Sequence, residues 1–375
     1  MKVNKLYAVN FRNYPSCALE LPSMINVFYG QNAQGKTNLL EILFYAAFGM
    51  SHRTSAEDEL LKLGSAAMAV GVEYVSFSGK HEVKIKKYKQ QERWKKEILL
   101  DGAKIRPKEH YGALNAVMFS PEDLQLVKGE PSLRRRFFDM QIAQTDPVYY
   151  DLLVKYNRVL LQRNRLLKDL RDSGSSANVL RPWDEEFVRL AAAIVQKRLL
   201  ALGKLESIAS EIYASLTQHK EALVVRYEQK GNNSTLLYPA TAAECSTEFY
   251  SELLAQRQRI DILRGNTGIG PHRDDLQLLL NGLPLRAFGS QGQQRSAALA
   301  LKLSQLEYVH QEIGEYPILL LDDVMSELDD SRRSQLLLFI DGRVQTFITV
   351  NDKEWIPELA GNAYFKISGG TISEG

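Results

Sequence analysis

Cysteine is nearly absent: the 375 residues include only two, Cys17 and Cys245. Two thiols so far apart exclude a disulfide framework and any metal site with cysteine-ligand spacing, and they suit a reducing compartment. The six histidines show no zinc spacing. Long apolar runs are missing as well. No stretch approaches the ~18 apolar residues that a membrane span requires. Met1-Lys2-Val3-Asn4-Lys5 leads into a segment interrupted by polar residues, not into a signal-peptide core. The expectation is a soluble cytoplasmic protein with no membrane partner. Nor does charge of one sign dominate: the formal net charge is +2. Such a balance neither demands nor excludes an anionic partner, so a nucleic-acid surface must come from where Lys and Arg cluster. Internal repeats and low-complexity tracts are lacking too. What is there is an ordinary globular composition, 45% hydrophobic and 25% charged. The length suits two domains or one large one.

The first third reads as strands with one helix. Val3–Phe11 and Ile25–Tyr29 are rich in β-branched and aromatic residues. Thr37–Phe48 switches to helical spacing, with Leu39, Leu40, Leu43, Phe44 and Ala47 on one face. Val70–Phe77, Val83–Tyr88 and a hairpin at Asp101-Gly102 within Ile98–Ile105 follow. From about Leu133 to Arg264 the pattern is mostly helical, with loops at Ser173-Gly174-Ser175-Ser176 and Gly231-Asn232-Asn233-Ser234. Strands return after that. Leu276–Leu280 and Leu283–Phe288 flank the hairpin signal Asn281-Gly282, Ser290–Gln311 is helical, and Ile318–Leu321 and Val344–Val350 are short buried strands. The expected architecture is discontinuous. Residues 1–132 and 265–375 form an α/β nucleotide-binding lobe, and residues 133–264 are an inserted helical lobe.

Residues 30–37 read Gly30-Gln31-Asn32-Ala33-Gln34-Gly35-Lys36-Thr37, a complete P-loop. A phosphate cradle needs close backbone approach and several N–H groups aimed at one point. Gly30 and Gly35 carry no Cβ to obstruct that approach. The helix opening at Lys36 adds free donors and a partial positive charge. Lys36 reaches the β- and γ-phosphates of ATP in this arrangement, and the Thr37 hydroxyl ligates Mg²⁺. The flanking strand and amphipathic helix are the required context. By average residue frequencies, the pattern arises by chance in such a chain on the order of one time in a hundred.

Ile318–Leu321 ends in Asp322-Asp323. A wholly apolar strand is buried on both faces of a parallel sheet, and its C-terminal tip is where ligands bind in open α/β sheets. Asp322 is the expected Mg²⁺ ligand, direct or through water. Asp323 is placed to orient or deprotonate the attacking water. Gly289-Ser290-Gln291-Gly292-Gln293-Gln294-Arg295 precedes an Ala- and Leu-rich helix shortly before these carboxylates.

That segment resembles the signature motif of ATP-binding-cassette proteins through Ser290, Gly292 and Gln293. Ser326-Glu327-Leu328-Asp329 resembles their D-loop. The order of motifs resembles the ATPase heads of SMC and Rad50 proteins, with an insertion far too short for a long coiled coil. Further stretches narrow the resemblance to the RecF family of bacterial recombination mediators. They are Asn10-Phe11-Arg12-Asn13-Tyr14, the P-loop with Asn38, Ser51-His52-Arg53-Thr54, Phe119-Ser120-Pro121-Glu122-Asp123-Leu124, Pro131 to Asp139, and Gly270-Pro271-His272-Arg273-Asp274-Asp275.

The resemblance implies an α/β, ABC-type P-loop ATPase head with an inserted helical lobe. It also implies ATP-dependent homodimerisation, DNA binding at duplex, gap-junction or single-stranded sites, and recombinase loading with RecR and RecO. Arg12 and Asn13 fall where cassette ATPases contact the base. Where those enzymes place a sensing Gln, this chain has Phe119-Ser120-Pro121-Glu122-Asp123. Where they place a switch His, it has Thr349-Val350-Asn351. Ser290 is expected to cap the γ-phosphate held by a second copy.

Three basic clusters are candidates for DNA: Lys84 to Lys96, Arg134-Arg135-Arg136, and Arg158, Arg163, Arg165, Lys168 and Arg171. Each can equally be a solvated face, and one of Arg134–Arg136 can instead pair with Asp139 or another carboxylate. His272 and Arg273 read as a satisfied histidine beside an ion-paired arginine. A transporter-type cassette, a nuclease or helicase head, and a structural head with vestigial ATPase are the competing classes. Membrane association through a partner would favour the first, DNA cleavage or strand separation the second, and intact Lys36, Thr37, Asp322 and Asp323 argue against the third.

Overall fold

The computed structural model describes residues 1–91, 93–174, 176–231, 236–239, 241–353, 356 and 361–374. Ser175 and Asn232-Asn233-Ser234, read from sequence as loop, lie outside the described residues. The chain forms two compact units, Met1–Asp123 with Gln305–Gly375, and Leu124–Ser304. The sequence reading drew the divisions at 132/133 and 264/265 instead. Strand pairing is the reason for the difference: residues 275–280 pair with residues 223–228, which ties the stretch after 264 to the helices before it.

The first unit holds two six-stranded sheets. One is antiparallel and runs β2 (Tyr14–Glu20), β1 (Lys2–Phe11), β4 (Ala67–Ser76), β5 (Gly79–Gln90), β6 (Arg93–Leu100), β7 (Ala103–Ile105). Its β5 shows the alternation of a half-buried strand, with Val83 and Ile85 turned inward and Lys84 and Lys86 less buried. The other runs β16 (Thr371–Glu374), β15 (Ala363–Ser368), β3 (Ile25–Tyr29), β14 (Thr346–Val350), β13 (Ile318–Asp322), β8 (Ala116–Phe119). Strands β15, β3, β14, β13 and β8 are parallel. Ile318–Leu321 are all 0% exposed, which explains why they show no alternation. Truncating one of these leucines to Ala removes roughly 2–5 kcal/mol.

Helix α1 (Lys36–Phe48) follows β3 and stops at Gly49 in the left-handed region. It is buried on nearly every side, from Leu39 to Phe48, and not on one face as its spacing suggested. Short α2 (Pro107–His110) leads to β8, and α10 (Asp330–Ile340) begins at an Asp329 cap and lies between β13 and β14 in sequence.

The second unit is mainly helical. After short α3 (Gln125–Lys128) come α4 (Pro131–Thr145), α5 (Pro147–Ser173), α6 (Arg181–Leu216) and α7 (Thr247–Arg264). Asp146 caps α5 by accepting from the Val148 and Tyr149 N–H groups, and Ser246 caps α7. A four-stranded sheet, β10 (Leu236–Leu237), β9 (Leu223–Lys230), β11 (Asp275–Leu280), β12 (Leu283–Pro284), packs with them. The strand expected to reach Phe288 ends at Pro284, and Leu285–Phe288 is helix α8. Leu-Arg-Ala-Phe carries no β-branched residue, and its first three residues are good helix formers. Helix α9 (Gln291–Ile313) follows. No helix among the described residues is long and apolar enough to cross a membrane.

Candidate functional site

The sheet brings the motifs of the first unit to one edge. Strands β3, β14 and β13 are neighbours and run parallel, with Phe28 opposite Thr349 and Thr349 opposite Asp322. The residues that follow their C-terminal ends therefore sit side by side. These are the P-loop after β3, Asn351 after β14, and Asp322-Asp323 at the end of β13. Strand β8 pairs with β13 through Phe119 and Leu321, so Ser120-Pro121-Glu122 joins the same edge.

Two glycines are obligatory in the loop. Gly30 has φ +149° and a Cβ there would meet the Ile367 carbonyl oxygen at 2.4 Å; Gly35 has φ +113° and a Cβ would meet Asn13 Nδ2 at 2.6 Å. Gly35 is also the N-cap of α1, and no side chain caps that end. The first-turn N–H groups thus face outward with the helix dipole behind them. Lys36 is only 7% exposed. Its Nζ donates to the carbonyls of Gly30 (2.5 Å) and Gln31 (3.0 Å) and to Asn351 Oδ1 (2.9 Å). Burial lowers its pKa, against the pull of Asp323 and Asp322. The ammonium is held over the loop by neutral acceptors and makes no ion pair among the described residues.

Thr37 Oγ1 donates to Asp322 Oδ1 at 2.8 Å, and Thr349 Oγ1 donates to the same oxygen at 2.8 Å. Burial pushes the Asp322 carboxyl up, while the two hydroxyls pull it down and Asp323 and Glu122 add repulsion. A hydroxyl and a carboxylate meeting at one point are oxygen donors suited to a hard divalent cation. Asp323 takes a left-handed φ of 52°. Its N–H donates to Thr349 Oγ1 at 2.9 Å and its carbonyl accepts from Ser326.

The loop is strapped from two sides. Asn13 Nδ2 donates to the Gln34 carbonyl (3.1 Å) and Asn38 Nδ2 donates to Asn13 Oδ1 (2.8 Å). Gly370 N–H reaches the Gln34 carbonyl (3.2 Å) and Gly369 N–H the Gln34 side chain (2.6 Å). Gln31, Asn32 and Ala33 form the exposed rim, Ala33 with φ 64°. Arg12 does not offer a free guanidinium to a nucleotide base. It forms a two-pronged pair with buried Glu41 (2.8 and 2.9 Å) and donates to the Glu59 carbonyl. Burial works to raise Glu41, yet Arg12 and Ser51 bring its carboxyl below the ordinary value. Glu41, Gly369 and Gly370 are residues that the sequence did not point to, while Thr349 and Asn351 were expected only to occupy the switch-histidine position, with no role given.

Ser290, Gly292 and Gln293 belong to the second unit, at the start of α9. Ser290 and Gln293 form a reciprocal cap. Gln293 N–H donates to Ser290 Oγ (3.2 Å), and Ser290 N–H donates to Gln293 Oε1 (2.7 Å). Gln293 Nε2 in turn donates to Glu221 (2.7 Å), and exposed Ser290 opens the helix.

Much of the cationic inventory is structural. Arg134 is buried in a bidentate pair with Asp275 (2.7 Å on both prongs), and Arg163 is fully buried against Asp184 and Asp261. Lys87 sits on the inward face of β5 and pairs with Glu57 and Asp58. His272 is held by Tyr156 (2.6 Å) and the Thr267 carbonyl (3.1 Å), and burial drives its pKa down to about 3, so it is neutral. Arg273 donates to the Thr267 carbonyl and not to a carboxylate. No group of His, Cys, Asp and Glu suited to a metal occurs among the described residues.

The family model described as RecF/RecN/SMC N terminal domain matches residues 2–368. The DNA replication and repair protein RecF of Halothermothrix orenii is 40% identical over 100% of this chain and 99% of its own length. The Bacillus subtilis protein of the same name is 38% identical over 99% and 100%. The solved structure of the recombination mediator protein RecF-ATP in the RecFOR pathway superposes with TM-score 0.89 at 34% identity, covering 100% of this chain and 97% of that one. A Pyrococcus furiosus Smc head domain shares the fold, with TM-score 0.55 at 14% identity over 100% and 96%. With an SMC-type ATPase-head fold and full-length matches at this identity, the chain belongs to the RecF family of DNA replication and repair proteins.

Proposed function

We propose that this chain is an ATP-switched DNA-binding protein of recombinational repair and replication-gap processing. ATP lies along Gly30–Thr37, with Asn13, Gln31, Asn32, Ala33, Gln34 and Asn38 shaping the cradle and Lys36 on the β- and γ-phosphates. Thr37 and Asp322 hold Mg²⁺, which neutralises phosphate charge. Asp323 orients or deprotonates a water that attacks the γ-phosphorus, and ADP leaves. Turnover is slow and regulatory. Ser290, Gly292 and Gln293 of a second copy cap the γ-phosphate, so ATP joins two chains on DNA and hydrolysis releases them. RecR and RecO are the partners in recombinase loading at single-strand gaps.

The observation that carries this reading is Lys36. A buried ammonium that donates to two carbonyls and one amide oxygen, with no ion pair among the described residues, is open to an anion, and phosphate supplies one. Support also comes from a relative solved with ATP. The test is DNA binding by fluorescence anisotropy with ATP, ADP or no nucleotide, for the natural protein and Lys36→Arg. Tighter binding with ATP than ADP, altered in the variant, is expected. Binding indifferent to nucleotide would overturn the switch. Sedimentation with ATP adds the dimer arm: Ser290→Arg should remain monomeric.

A further inference from the structure

The second unit contains a cavity that the nucleotide site does not use. It measures about 370 Å³ and is lined by Lys230, Arg257, Arg264, Asn266, Gly268 and Arg273 among others. Three elements supply it: the end of β9, the last turns of α7, and the loop before β11. All four charged side chains in its wall are cations. Lys230, Arg264 and Arg273 are exposed, and none of them makes an ion pair among the described residues.

Arg257 is different. It is 8% exposed, and its Nε has no hydrogen-bond partner. The nearest carboxylate oxygen, Asp261 Oδ1, stands 3.6 Å away and accepts from the Gly268 N–H, while Oδ2 accepts from Arg163. Asp261 is therefore already shared. Gly268 makes room for the arginine: a Cβ at that position would come within 2.3 Å of Arg257 Nη2. A buried charged donor without an acceptor is rare in folded proteins. That Nε is itself closed off from solvent, but Arg257 lines the cavity, so an anion there adds negative charge beside a cation whose nearest carboxylate is already shared. Arg264 also stands in the last turn of α7, where a cation complements the helix dipole. That role does not require three further cations around one cavity.

We infer that this cavity is a binding site for a phosphate group, carried on a nucleic-acid backbone or free in solution. Its volume is roughly ten times a water's share of the liquid, so it admits a phosphate with its ester substituents. Guanidinium forks from Arg257, Arg264 and Arg273 match phosphate oxygens in pairs, and Lys230 adds a point charge.

The test uses the full chain and the double variant Arg264→Glu with Arg273→Glu, both exposed positions outside the nucleotide site. DNA-free ATP turnover and thermal melting report folding and the nucleotide site independently of the cavity. One arm titrates a short duplex at several salt concentrations. The other titrates inorganic phosphate by calorimetry with saturating ADP present. Loss of at least tenfold in duplex affinity, with the salt slope flatter by about two, assigns the cavity to backbone phosphates. Unchanged duplex binding with loss of a phosphate isotherm assigns it to free phosphate. If both titrations match the natural protein while turnover and melting are intact, the inference is overturned. If the double variant melts early, Arg273→Gln alone is read instead, with a smaller loss of affinity and a salt slope flatter by about one.

Discussion

Two buried cations set the two units apart. Lys36 in the first unit is 7% exposed and contacts two backbone carbonyls and an amide oxygen. Arg198 in the second is 2% exposed and saturated. It donates to both oxygens of Asp139 (3.0 Å each), to the Tyr149 and Tyr227 hydroxyls (3.0 and 2.9 Å), and to the Pro271 carbonyl (2.8 Å). Burial works to lower the Arg198 pKa, yet Asp139 and the tyrosines raise it well above the ordinary value, whereas Lys36 is lowered. The difference separates purposes. A buried cation matched to a carboxylate and filled with hydrogen bonds holds a structure together. One resting on neutral acceptors remains open to an incoming anion.

The largest expected effect follows from removing the saturated cation. Arg198→Met leaves half-buried Asp139 and the buried Tyr149 and Tyr227 hydroxyls without their donor, and breaking a largely buried pair destabilises by about 3–5 kcal/mol. Urea unfolding followed by a probe in the second unit should show it, while nucleotide affinity of the surviving fold stays near normal. A small loss, within about 1 kcal/mol, would break the comparison by showing that Arg198 is replaceable. Lys36→Met should behave in the opposite way. Its three acceptors are loop groups within reach of water, so stability should move by about 1 kcal/mol or less. ATP turnover should fall by roughly 10²–10³, the scale of removing one transition-state donor. A stable variant with normal turnover would deny Lys36 its role at the phosphates.

The same contrast explains what was legible in the sequence. The P-loop, the strand ending at Asp322 and the strands β3 and β14 were readable because each is local, whereas β8 and β15 were not read. A fixed spacing, or an unbroken apolar run, carries the whole signal. Asn351 follows β14 as Asp323 follows β13, and could have been assigned by asking what stands at the tip of every buried strand. The pairing of Arg12 was not legible because Glu41, its partner, is distant in sequence and lies on helix α1 among apolar residues. That one of Arg134–Arg136 pairs with a carboxylate was foreseeable, but not which one, and the partner of Arg163 was not legible, since Asp275 and Asp184 are supplied by other elements. Strand β9 shows clean alternation in its burial, yet it sits among long Leu-rich helices. Its pairing with β11 decides which unit residues 265–304 join, and no local pattern reports a pairing partner.

The last test concerns the exception inside the saturated network. Asp274 is 1% exposed, and its carboxylate accepts from the Tyr227 hydroxyl (2.8 Å) but makes no ion pair among the described residues. Arg135 donates to its backbone carbonyl and not to its carboxylate. It is thus the acidic counterpart of Lys36, a buried ionisable group among neutral partners. Burial pushes its pKa from the ordinary 3.8 to about 7, against the pull of Arg198. The sign is fixed by that shift. Between those two values the folded state holds a proton that the unfolded state has released, so this group's contribution to stability falls as pH rises from about 4 to about 7. Asp274→Asn removes the titration. The natural protein should therefore lose stability relative to the variant across that window and run parallel to it above pH 7, as read from urea midpoints at fixed pH. A constant difference throughout would mean that the carboxylate stays ionised through Arg198, and Asp274 would then belong with the saturated charges.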